Sequence, residues 1–272
     1  MLGAIIGDIV GSRFEWHNRK RKRFDLFRDE CRPTDDSTMT LAIAKAILIC
    51  GADPEQVSAR AVTCMRELGR RYPYGFGGRF SEWLVSPVPR PYHSWGNGAG
   101  MRVSPCAWAG TSLENALLLA DKVTEVTHDH PEGMKGARAV TAALYLARTG
   151  SDKDVIRRHI EANYYPLGFT LDAIRPRYTF DVSCQGSVPQ AIEAFLEADS
   201  FEDAVRNAVS IGGDSDTIAA MAGSIAEAYY GIPGDIRDAA LRYLDEDQKK
   251  IVSDFEEKYG TTADTGARPA WQ

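Results

Sequence analysis

Two short stretches carry most of the oxygen-bearing side chains that could do chemistry together. In Gly212-Gly213-Asp214-Ser215-Asp216-Thr217, two glycines lead into carboxylates and hydroxyls, directly before an apolar, Ala-rich run from Ile218 to Tyr230. Thr34-Asp35-Asp36-Ser37 stands in the same way before a helical stretch from Thr38 to Cys50. Either alone can be a helix cap, since Ser, Thr and Asp are favoured there and acids suit the first turn. Together they offer four carboxylates (Asp35, Asp36, Asp214, Asp216) and two threonine hydroxyls (Thr34, Thr217). Such hard donors suit Mg²⁺ rather than Zn²⁺. If both helix starts face one cleft, the carboxylates repel unless cations lie between them. A pair of divalent cations there would hold substrate hydroxyls, activate a water and stabilise developing negative charge.

Other candidates are less specific. The glycines of Trp95-Gly96-Asn97-Gly98-Ala99-Gly100-Met101-Arg102 permit close backbone approach to a ligand, without demanding a phosphate. The Pro-, Gly- and aromatic-rich stretch from Tyr72 to Asn97 reads as a long loop that either binds a ligand or covers the core. Thr127-His128-Asp129-His130 has no cysteine or third histidine nearby, so a structural histidine is favoured over a zinc ligand. Arg19 to Arg23 is five consecutive basic residues. Like charges usually stay in water, and a clamp for phosphates is the functional alternative. The five cysteines are scattered without CxxC spacing, and Cys184 has no base partner in sequence, so inert thiols in a reducing cytoplasm are expected.

The elements that must position these groups read as helices. Apolar residues recur at helical spacing through most of the 272 residues, and no β alternation of any length stands out, so the fold class is all-α. One domain is expected over residues 1–260, followed by a flexible polar tail at 261–272. Gly3 and Gly7 lie four apart on an apolar N-terminal helix, which allows close packing of another helix. The net charge of −6 gives no global reason to expect nucleic-acid binding. No stretch is apolar enough to span a bilayer, and Asp8 interrupts the N-terminal apolar residues too early for a signal peptide.

Taken in order, Gly7-Asp8-Ile9-Val10-Gly11 with Glu15 downstream, Thr34-Asp35-Asp36-Ser37, Gly96-Asn97-Gly98 with Met101-Arg102, Thr127-His128, and Gly212-Gly213-Asp214-Ser215-Asp216-Thr217 resemble the ADP-ribosylglycohydrolase family. The resemblance runs from residue 1 to about residue 232. It implies a nearly all-α fold with a binuclear Mg²⁺ centre, Mn²⁺ being an alternative, that releases ADP-ribose from modified side chains or from O-acetyl-ADP-ribose. The wording of the Gly-Asn-Gly and Met-Arg motif is closer to the subgroup acting on ADP-ribosyl-serine and O-acetyl-ADP-ribose than to the arginine-specific type. Carried over by motif, Thr34, Asp35, Asp36, Asp214, Asp216 and Thr217 are the metal ligands. Asp35 or Asp214 polarises the attacking water, and Glu15 protonates the leaving group or gates the site. Ser94, Trp95, Gly96, Asn97 and Gly98 carry the ADP moiety, with Trp95 or Tyr92 stacking on adenine, and His128 sits beside the ribose. The expected partner is an ADP-ribosylated protein met by a monomer. The basic run, foreign to the family pattern, leaves ADP-ribosylated nucleic acid as an alternative. Ser37 replaces the family's usual threonine and keeps the hydroxyl. Two rival readings stand beside this one: a non-catalytic ADP-ribose binder or structural protein on the same fold, and a two-metal nucleotide phosphoesterase.

Overall fold

A helix at the N-terminus that is apolar on every side apart from Asp8 can satisfy its surface only by being surrounded, and this governs the architecture. The computed structural model describes residues 1–260; the expected tail at 261–272 lies outside the described residues. Among them the regular structure is helical, apart from one isolated antiparallel bridge between Gly96 and Ser183. The first helices are α1 (Leu2–Gly11), α2 (Asp35–Cys50), α3 (Pro54–Arg71), α4 (Gly78–Val85) and α5 (Gly98–Met101). They are followed by α6 (Ser104–Ala109), α7 (Leu113–Thr124), α8 (Pro131–Arg148), α9 (Lys153–Asn163) and α10 (Leu171–Ile174). The last are α11 (Cys184–Leu196), α12 (Phe201–Ser210), α13 (Ser215–Tyr230), α14 (Gly234–Leu241) and α15 (Glu246–Tyr259).

Every residue of α1 is buried, and α13 is buried from Ser215 to Ala226. The two helices run antiparallel in close contact, Gly3 against Gly223, Gly7 against Ala219 and Gly11 against Ser215 and Asp216. A Cβ on Gly7 would stand 2.0 Å from the carbonyl oxygen of Ala219, so the register depends on that missing side chain. The expectation of close helix packing at Gly3 and Gly7 is met. The consequence is positional, because the end of α1 meets the start of α13. Helix α2 packs on α1, α3 and α15, while α8, α11 and α12 cover the remaining faces of α13. The buried apolar residues form one continuous core. No helix among the described residues is long and apolar enough to cross a membrane.

Several boundaries differ from the sequence expectation. Helix α2 starts at Asp35 and α13 at Ser215, each ahead of its apolar run, so the acidic residues occupy first turns. The stretch Tyr72 to Asn97 contains α4, whose buried Phe80, Trp83 and Leu84 form an apolar face that the surrounding Gly and Pro obscure. Helix α11, which the sequence reads as running from Val188 to Ala198, begins at Cys184, capped by the Ser183 side chain, and carries Pro189 within it.

Candidate functional site

Asp8, on the last turn of α1, pins the start of α2. Its Oδ2 accepts from the Thr34 amide at 2.8 Å, from the Ser37 amide at 3.0 Å and from the Ser37 hydroxyl. Its Oδ1 accepts from Thr34 Oγ1 at 2.7 Å. The two acidic stretches then meet directly: Thr217 Oγ1 donates to Asp36 Oδ2 at 3.2 Å. On the other side, Asn97 Nδ2 donates to Asp214 Oδ2 at 2.7 Å. Carboxylate oxygens of Asp8, Asp36 and Asp216 lie within 4.8 Å of one another, and so do those of Glu15, Asp214 and Asp216. Asp35 sits under Gly75, where a Cβ would come 2.2 Å from Asp35 Oδ1. Gly75 has φ +90°, so both its conformation and this approach favour glycine.

The cluster is under electrostatic stress. Burial, then the charges of Asp8 and Asp214, push Asp35 up to about 8. Burial, then neighbouring carboxylates, hold Asp36 and Asp216 well above the usual carboxylate range. Glu15, half-buried, is pushed up to about 7 by burial and by Asp214 and Asp8. Asp8 is raised by burial against four hydrogen bonds that favour its anion. None of these carboxylates is in an ion pair among the described residues. Asp36 Oδ1 is buried without a hydrogen-bond partner. A buried, unpaired carboxylate oxygen among other carboxylates is what a hard cation satisfies. The donor set, all oxygen, fits divalent Mg²⁺ or Mn²⁺.

The cluster forms one end of a cleft of about 510 Å³. Glu15, Asp35, Asp36, Asp214, Asp216 and Thr217 line it, and so do Ser94, Gly96, Asn97, Gly98 and His128. Thr34 lies behind the cluster, its hydroxyl proton given to Asp8. The Trp95 ring does not line the cleft; it is 47% exposed and packs edge-on against His130. Tyr92 does line it, 5.9 Å from the His128 ring. The glycine segment is clipped to α11: Asn97 N donates to Val182 O at 2.7 Å, and Cys184 N to Trp95 O at 2.9 Å. The Cys184 thiol is buried and pushed up to about 12, an inert group as its sequence context suggests.

The His-x-His pair is divided between two tasks. His130 caps α8 through the Glu132 amide. His128 Nδ1 lies 2.8 Å from Thr127 Oγ1, which accepts from the fully buried Arg102 at 2.6 Å. Arg102 fills one lone pair of the Thr127 hydroxyl and leaves its hydrogen available to Nδ1, an arrangement that puts the ring proton of neutral His128 on Nε2. Burial and the charges of Arg102 and Arg79 keep His128 neutral, well below its usual range. Its Nε2 faces Gly96 and Gly98, where built Cβ atoms would lie 3.6 and 3.3 Å away. The site thus presents a neutral N–H donor beside the glycine segment.

Asp8 is the main site residue that sequence reasoning missed. A single acid in an otherwise apolar helix was its available signal, because an unpaired buried carboxylate has to be satisfied by something. The pairing of Asn97 with Asp214, across 117 residues, left no sequence signal.

The chain is similar to several known proteins. A family model described as ADP-ribosylglycohydrolase matches residues 1–264. ADP-ribosylarginine hydrolase Tri1 of Pseudomonas putida (strain GB-1) is 27% identical over 267 residues, covering 86% of this chain and 70% of that protein. ADP-ribosylhydrolase ARH3 of Homo sapiens is 27% identical over 306 residues, covering 85% of this chain and 84% of that protein. A solved structure described as an ADP-ribosylglycohydrolase-related protein complex superposes with a TM-score of 0.69 over 95% of this chain and 94% of that one. At 24% identity, that likeness is one of fold.

Proposed function

Because the chain belongs to the ADP-ribosylglycohydrolase family, we propose that it hydrolyses the glycosidic bond between ADP-ribose and a seryl or arginyl side chain, or releases ADP-ribose from O-acetyl-ADP-ribose, with two divalent cations held by the carboxylate cluster. Its class, a glycohydrolase acting on ADP-ribose, follows from the family. The observation that carries the metal reading is Asp36 Oδ1, a buried carboxylate oxygen with no partner, among acids with no counter-cation. Asp35, Asp36, Asp214, Asp216 and Thr217 would hold the ions from within the cleft, with Thr34 behind them and Asp8 fixing Thr34 and Ser37. Bound cations supply Lewis acidity, which grips sugar hydroxyls and makes a coordinated water more acidic.

The chain's own groups do the rest. Asn97 orients Asp214 by donating to its Oδ2 at 2.7 Å, and Asp216 and Thr217 also reach the Asp214 carboxylate. Glu15 is pushed up to about 7 by burial and the charges of Asp214 and Asp8 in the cation-free cluster, and from the cleft wall it can give a proton to the departing group or take one from water. The bond from the anomeric carbon to the leaving atom breaks, and a water oxygen takes its place. His128 Nε2–H and the Gly98 amide provide donors for the anionic part of the substrate, while the Gly96 and Asn97 amides are held by Ser94 Oγ and Val182 O. Assaying purified protein with Mg²⁺ against seryl, arginyl and O-acetyl conjugates, with ADP-ribose and phosphate release read side by side, tests this. ADP-ribose release from at least one conjugate is expected. Phosphate release alone would support a phosphoesterase, and no release from any conjugate would contradict the reading.

A further inference from the structure

The basic run Arg19 to Arg23 is divided by its contacts. Lys20 turns inward, donating to the carbonyls of Tyr178 and Ile211, and Lys22 pairs with Asp203. The intervening Arg19, Arg21 and Arg23 instead join Arg13 and Arg28 in lining a second cavity of about 580 Å³, with Phe14, Phe24 and Asp25. Five arginines against one aspartate leave four positive charges in excess. That aspartate is already paired with Arg28, and Arg13, Arg19, Arg21 and Arg23 have no ion pair among the described residues. The Nε atoms of Arg13 and Arg19 are buried without a hydrogen-bond partner.

Gathering like charges in a concavity is unfavourable unless an anion compensates them. Desolvated guanidinium donors with no acceptor add to the stress. Guanidinium forks match carboxylate and phosphoryl oxygens alike, but a carboxylate brings only one charge against an excess of four. We propose that this arginine cavity is a binding site for a phosphate-bearing anion. It shares no lining residue with the carboxylate cleft. It nevertheless lies on the same segment, since Glu15 and Trp16 line the cleft while Arg13, Phe14 and Arg19 line the second cavity. The ligand can be a free oxyanion or a phosphodiester backbone, which share this chemistry.

Calorimetric titration of the full chain in EDTA, with pyrophosphate and with a short single-stranded oligothymidylate, separates these sources. The comparison protein carries Arg21→Gln and Arg23→Gln. Neither side chain makes a hydrogen bond or ion pair among the described residues, so the fold keeps its contacts. Saturable binding of at least one ligand at low salt is expected, weakening as salt rises. In the double variant it should fall by roughly tenfold or more, the scale of lost charge-assisted hydrogen bonds. Binding of pyrophosphate alone identifies a free-oxyanion site, and binding of the oligonucleotide alone a backbone-reading one. Either result supports the proposal, provided the double variant loses it. No saturable binding, or equal binding by the double variant, overturns it. No turnover is read, so the outcome is independent of the proposed hydrolysis.

Discussion

Thr217 Oγ1 donates to Asp36 Oδ2 at 3.2 Å and so joins two helix starts that lie 181 residues apart. The same contact leaves Asp36 Oδ1 buried and without a partner. The two helix starts, α2 with its Thr34 cap and α13, turn their first-turn acids toward one another. That is unfavourable for folding alone, and it gives the cluster a testable signature: it should destabilise the metal-free protein.

Asp36→Asn puts a neutral isostere in place of an acid whose ionisation is disfavoured in a buried group of carboxylates all held above the usual range. In EDTA at pH 8 the variant should melt at a higher temperature than the wild type, because like-charge repulsion falls. With saturating Mg²⁺ the order should reverse, because the variant has lost a ligand. Calorimetric melting with and without Mg²⁺ checks both signs. A variant less stable than wild type in EDTA and unchanged by Mg²⁺ would assign Asp36 a structural role.

The pH dependence has a definite direction. Asp35 is raised from the usual 3.8 to about 8. A carboxylate with a raised folded pKa contributes stability that is present below its unfolded pKa and is lost as pH rises through the folded one. The melting temperature of metal-free protein should therefore fall between pH 5 and pH 8, and Mg²⁺ should flatten the fall, since cations bind the deprotonated carboxylates. A melting temperature that rises over this window in EDTA would contradict the assignment.

Glu15 is a half-buried titrating group on the cleft wall, raised to about 7 in the cation-free cluster, and its titration should give a limb in the rate profile. Bound cations would pull that limb downward by stabilising the anion. Glu15→Gln should lower kcat by roughly a hundredfold, the usual scale of lost acid–base catalysis, and remove the limb. Steady-state rates from pH 5.5 to 9 read both effects, and an unchanged profile would exclude Glu15 from proton transfer.

Asn97→Ala removes the donor that holds Asp214 at 2.7 Å. Loss of a group that orients a ligand typically costs about 10–100-fold in metal affinity or activity. The helical circular dichroism should be unchanged, because Asn97 lies in the short connection before α5 and not within the α1–α13 contact. Gly7→Ala should do the opposite. Its Cβ meets the Ala219 backbone, so stability should drop by about 1–3 kcal/mol, as for overpacked cores, and the cluster should be displaced with it. Denaturant unfolding of both variants distinguishes the two effects.

Much of the fold was legible because helical periodicity is strong where one face is apolar. The sequence reads as helical from Phe201 to Ser210, and α12 has those bounds. Starts set by acidic residues were placed late, at Thr38 and Ile218, because periodicity registers only apolar positions, whereas Asp35 and Ser215 open their helices. At the site, the two acidic clusters could be paired by their chemistry, but their alignment depends on the antiparallel glycine contacts of α1 with α13. Asp8 was read as an interruption of an apolar stretch, and its role appears only once Thr34 and Ser37 are seen to donate to it. Trp95, an expected adenine platform, points to solvent and His130, while Tyr92 faces the cleft.

The most direct measurement is ADP-ribose release after chelation and metal restoration, on whichever conjugate the panel identifies. Protein stripped with EDTA should release none. Added Mg²⁺ should restore release along a saturating curve, with two ions bound per chain at the plateau. Release that persists in EDTA, or a restored activity carried equally well by Asp216→Asn, would contradict the carboxylate cluster as the centre of this enzyme.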